Sequence, residues 1–162
     1  MNTLLNVSAG LFILGGIVDA LIGALTPFVT RRVPLPLDSF LQNPGADREL
    51  FGHSPQQLLA TDAPLAMLYR MTFDLIGMLL LVFGVLQVAV AWFALRAGHA
   101  WALAVLVVVD LLFIAGWGLV YSQYFRRDIA LADIGVPPNL LAPAALLIPA
   151  AVLGLLGLRQ VE

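Results

Sequence analysis

Four stretches of this chain are long enough and poor enough in charge to cross a bilayer, and no other feature restricts its fold so sharply. A bilayer core needs about 20 apolar residues per helix. The first run, Leu4 to Phe28, is interrupted only by Asp19; the second, Pro64 to Phe93, holds Arg70 and Asp74 in its first third. The third, Trp101 to Phe125, holds Asp110, and the fourth, Leu140 to Leu158, holds no charge. These spans (4–28, 64–93, 101–125 and 140–158) predict an all-α, four-transmembrane-helix bundle forming one integral membrane domain over residues 1–162.

Composition agrees with the run pattern. Hydrophobic residues make up 61% of the chain and charged ones 11%, whereas soluble domains carry about a quarter charged residues. A soluble globule, a disordered chain and a basic nucleic-acid binder are excluded on this ground. With no cysteine, disulfide scaffolds and thiol chemistry are excluded too. The first run lacks the basic lead-in of a secretory signal and carries an internal acid, so it reads as a retained membrane helix.

The connections differ in kind. Arg96-Ala97-Gly98-His99 is a tight polar turn that makes the second and third spans antiparallel neighbours. The connection from Arg126 to Pro138 ends with Asn139 placed to cap the fourth helix. The first connection, Val29 to Ala63, is long and rich in Pro. Within it, Ser54-Pro55-Gln56-Gln57 reads as a capping box that opens a short interfacial helix through Ala60. Asp62 and Pro64 then restart the chain as the second span. Arg31, Arg32, Arg48, Arg126 and Arg127 lie on the side of the first and third connections, against Arg96 and Arg159 on the other. That excess predicts a multi-pass protein of the cell (inner) membrane, with both termini on one side and outside.

Small residues let helices approach closely in lipid. Gly16, Ala20 and Ala24 form one such face of the first span, and Gly15, Asp19 and Gly23 its neighbour. Gly77 and Gly84 share a face with Arg70 and Asp74 in the second, and Asp110, Ile114, Trp117 and Tyr121 form one stripe in the third. Pro149 is expected to bend the fourth. Trp92 and Trp101 at one end, and Tyr69, Tyr121 and Tyr124 at the other, read as interfacial anchors.

A charged side chain at mid-bilayer costs at least about 2.5–3.5 kcal/mol, which makes intramembrane ionisable groups candidates for function. The candidate site is a polar pocket with Arg70, Asp74 and Asp19 as its floor and Asp110, Trp117 and Tyr121 opposite. Such a pocket would hold a lipid or other amphiphile, with Arg70 gripping an anionic or carbonyl group. The competing reading is structural: Arg70 and Asp74 neutralise each other as an i,i+4 pair, and the acids act as packing contacts between helices. His53 and His99 fall in loops on opposite faces and cannot share a metal. No phosphate loop, nucleophile elbow or calcium-loop spacing is present, and Asp38, Asp47, Glu49 and Asp62 read as solvated loop residues and caps. No catalytic residue, metal or cofactor is expected.

Phe51-Gly52-His53-Ser54 ahead of the short helix, Arg70 early in the second span, and the turn from Trp92 to Ala102 together resemble small four-helix bacterial membrane proteins, broadly DoxX-like. The resemblance covers most of the chain and implies a four-helix bundle with an accessory role. The function expected is an accessory subunit of a membrane complex or a lipid-binding protein. The alternatives are a membrane enzyme acting on a lipid-soluble substrate, with Arg70, Asp74 and Asp110 in its site, and a small ion-coupled transporter component. Expected partners are the lipid bilayer and other membrane subunits or further copies of the chain, with no nucleic acid.

Overall fold

A computed structural model describes residues 2–31 and 43–160 of the protein. The described residues form α1 (Thr3–Thr30), α2 (Pro44–Phe51), α3 (Pro55–Thr61), α4 (Ala63–Ala89), α5 (Ala100–Phe125), α6 (Leu131–Ile134) and α7 (Pro138–Arg159). A π-helical stretch, Val90–Leu95, carries α4 onward to the turn at Arg96. Four of the described helices, α1, α4 with its π-helical extension, α5 and α7, are long and apolar enough to cross a membrane. The described residues are thus all-helical with four candidate spans, close to the expected boundaries.

The helix ends follow local chemistry. Ser54 Oγ accepts from Gln57 N at 3.2 Å while Gln57 Oε1 accepts from Ser54 N at 3.1 Å, the reciprocal box that opens α3. Asp62 Oδ1 accepts from Leu65 N at 3.0 Å and opens α4. Asn139 does not cap α7: Pro137 holds the N-cap position with no side-chain bond, and Asn139 lies inside the first turn. Two helices in the connections were not expected. α2 is bounded by Asn43, whose side chain accepts from Gly45 N, and by Gly52 in the left-handed region at φ 76, where only glycine is unstrained. Residues 32–42, which include much of the expected Pro-rich loop, lie outside the described residues.

α1 is the organising helix, packing along its length against α4 on one side and α7 on the other. Its contact with α4 is nearly backbone on backbone. A Cβ on Gly16 would lie 2.8 Å from the Gly84 carbonyl oxygen, and one on Gly77 would lie 2.8 Å from Thr26 Cβ. The contact with α7 places Ser8 against Gly154 and Leu5 against Gly157, with Ser8 Oγ donating to the Ala150 carbonyl at 2.7 Å. In lipid, dispersion contacts and interhelical hydrogen bonds of this kind hold helices together.

α5 packs on α7 and on the π-helical end of α4. Beyond that end, side chains bridge α4 and α5, as in the Phe83–Phe113 stack at 5.4 Å. The main apolar core includes Leu5, Phe12, Leu95, Leu103, Leu106 and Leu147. The first and last described turns meet at one end of the bundle, where Asn2 Nδ2 donates to the Gly157 carbonyl at 2.7 Å. At that end Arg96 donates to Asn6 Oδ1 at 3.2 Å and lies 4.0 Å over the Trp92 ring. The opposite end is closed by α2 and α6, which pack beneath the last turns of α5 around Ala46, Ile129 and Ile134.

Candidate functional site

The polar side chains singled out in the sequence fall into three clusters. The central one lies within the bundle. Asp19 on α1 is 0% exposed and Asp110 on α5 is 2% exposed. Between their helices lies Gln87 of α4, itself buried, whose Nε2 donates to Asp110 Oδ1 at 3.2 Å. A Cβ on Gly15 would sit 3.5 Å from Gln87 Nε2, so this glycine gives the amide room against α1. Neither oxygen of Asp19 has a hydrogen-bond partner, nor does Gln87 Oε1. Every orphaned atom in the cluster is thus an oxygen acceptor. Sequence reasoning missed Gln87, although Gly77, Gly84, Gln87 and Ala91 share one face of the second span at spacings of seven, three and four.

The second cluster lies where α1 ends and α4 begins. Asp74 accepts from Thr30 Oγ1 at 3.0 Å and forms an ion pair with Arg31 at 3.5 Å. Arg70, one turn earlier on α4, is not its partner: among the described residues Arg70 forms no ion pair, and its buried Nε has no hydrogen bond. The expected Arg70–Asp74 pair is therefore replaced by a contact between helices, because Thr30 and Arg31 are carried to Asp74 by the α1–α4 crossing. A groove of about 220 Å³ runs between α3 and α4, lined by Leu59, Leu65, Leu68, Tyr69, Thr72 and Phe73. Its lining is almost wholly apolar.

The third cluster caps α5. Tyr124 Oη donates to Asp47 Oδ1 at 2.6 Å, and Tyr121 Oη to the Gly135 carbonyl at 3.0 Å. Trp117 is half-buried, with its ring centroid 5.8 Å from that of Tyr121. Two expectations change here. Tyr121 and Tyr124 are buried rather than interfacial anchors, and Asp47 is 1% exposed rather than a solvated loop residue. The cause is α2, which lays Asp47 against the end of α5.

The structure therefore sets the helices of Asp19 and Asp110 around Gln87 and places Trp117 beside Tyr121, and it gives Asp74 a partner set of its own. Among the described residues, no three His, Cys, Asp or Glu side chains are grouped to hold a metal. No protein-family model matches this chain, and comparison with curated proteins and with solved structures gives no match either.

Proposed function

We propose that this chain is a non-enzymatic multi-pass protein of the inner membrane that binds an anionic amphiphile where α3 meets α4. Arg70 would contact the headgroup, and the groove lined by Leu65, Leu68 and Phe73 would take the apolar chain. The observation that carries this reading is that Arg70 has no ion pair among the described residues, since Asp74 is already engaged by Thr30 and Arg31. A guanidinium without an ion pair suits a phosphate or carboxylate headgroup, which it can grip with two parallel bonds, and its chain neighbour Tyr69 lines the apolar groove. The Arg excess of the connecting segments supports placing this end of the bundle in the cytoplasm and both termini outside. An accessory, DoxX-like role fits the same reading.

Native mass spectrometry of protein extracted in mild detergent tests the proposal. Wild-type protein should carry an acidic lipid adduct that Arg70→Gln loses while its unfolding temperature holds. Equal adducts on both proteins would overturn it.

A second reading, as a subunit of a larger membrane complex, is favoured by α5. Only 17% of its most apolar stretch is buried in the bundle, against 33% to 39% in the other three spans. Its Gly116 and Gly118 have open space where a Cβ would stand. Crosslinking from Ala115 in native membranes should then capture a neighbouring helix; capture of lipid alone would count against this reading.

A further inference from the structure

The central cluster is distinct from the proposed amphiphile site and calls for its own account. Two carboxylates are enclosed within the bundle, and among the described residues neither forms an ion pair. The charged groups of the flanking helices sit toward the ends: Arg31, Arg70 and Asp74 at one, Arg96 and Arg159 at the other. α7 offers nothing titratable between Pro138 and Leu158. Tyr69, Tyr121 and Tyr124 also lie at the end capped by α2 and α6.

Enclosing an ionised carboxylate without compensation costs several kcal/mol. Protons or a bound cation must offset these two, and among the described residues no ion pair does so. The donor count leads to the same conclusion. Gln87 Nε2 is committed to Asp110, while Asp19 Oδ1, Asp19 Oδ2 and Gln87 Oε1 remain as acceptors without donors. An oxygen-only set is what hard cations prefer. Calcium takes six to eight oxygens and magnesium keeps several waters, and an enclosed group of two carboxylates and one amide suits neither. A smaller charge fits: one proton on one carboxyl leaves a single negative charge.

We propose that Asp19, Gln87 and Asp110 form an internal site for one exchangeable monovalent cation, at which Na⁺ and a proton compete. Na⁺ would take Asp19 and Gln87 Oε1 as ligands, with the Gln87–Asp110 hydrogen bond holding the amide in place. When no Na⁺ is bound, a proton occupies the same oxygens.

The test is equilibrium binding of radiolabelled sodium to the full-length protein in detergent, at alkaline and at acid pH. It is paired with unfolding temperatures in NaCl and in choline chloride at matched ionic strength. The expected result is saturable binding near one ion per chain and a higher unfolding temperature in NaCl. Sodium affinity should weaken by about tenfold per pH unit where a single proton competes. Asp19→Asn and Gln87→Leu should each lose sodium binding. Should either variant fail to fold, the wild-type pH competition decides alone. Absence of saturable sodium binding at alkaline pH would overturn the proposal, as would full binding retained by a folded Asp19→Asn variant.

Discussion

Tyr124 on α5 donates to Asp47 on α2 across 2.6 Å, and both side chains are buried. This bond ties a short connecting helix to the end of a membrane-length one, and it is how an acid comes to be enclosed in a segment that reads as polar loop. Removing the hydroxyl takes one donor from the carboxylate in a place water does not reach. Tyr124→Phe should therefore cost about 1–3 kcal/mol, the range for losing one buried hydrogen bond to a carboxylate. Hydrogen exchange in α2 should quicken alongside. Denaturant unfolding in detergent checks the first outcome and exchange mass spectrometry the second; unchanged protection of residues 44–51 would contradict the assignment.

Asp74 offers a choice of cation, and the structure selects Arg31 with Thr30. Double-mutant cycles should reflect that selection. The Thr30→Val and Asp74→Asn pair should show coupling of about 0.5–1.5 kcal/mol, typical of interhelical polar contacts in membranes. Arg31 is 71% exposed, so its cycle with Asp74 should give less than about 1 kcal/mol and weaken with salt. Arg70 and Asp74 should be close to additive. Coupling strongest for Arg70 would restore the intrahelical pair.

The α1–α4 crossing depends on missing side chains. A Cβ on Gly84 would overlap the Gly16 carbonyl oxygen and come within 2.6 Å of Ala20 N, so the two backbones would have to separate. Gly84→Ala should destabilise by about 1–3 kcal/mol as overpacking. Gly118→Ala, with nothing within 4 Å of its Cβ, should be neutral or stabilise slightly through helix propensity. Thermal unfolding of the two variants side by side separates crowding from a general glycine effect; equal shifts would contradict close approach.

Ser8 holds α1 to α7 through its bond to the Ala150 carbonyl. Ser8→Ala should lose about 0.6 kcal/mol and no more than about 1.7, because interhelical hydrogen bonds in membranes are modest. A loss well above that range would mean that Ser8 supports more than one contact.

The sequence by itself determined what depends on runs and local spacing. Hydropathy located four spans to within a few residues, since a bilayer-length apolar run has few other fates. Ser54 with Gln57, and Asp62 with Pro64, marked the starts of α3 and α4, because a helix N-terminus is capped by its own neighbours. The same local code, with Asn43, Pro44 and Gly52, was present for α2 but lay inside a stretch that composition labels as loop. The intramembrane acids were visible as well, being rare residues in apolar surroundings.

Only the tertiary structure decided which groups meet. Asp74 has Arg70 four residues away on its own helix, yet the glycine contact between α1 and α4 delivers Thr30 and Arg31 instead. Gln87 is a lone amide in a long apolar run, and its role appears only when α5 brings Asp110 to it and α1 packs Gly15, one turn from Asp19, against it. Asp47 and Tyr124 are 77 residues apart and become partners through the docking of α2 on α5. Periodicity gives each helix its faces, but the pairing of faces depends on the crossings, and these are set by backbone approach that no single helix records.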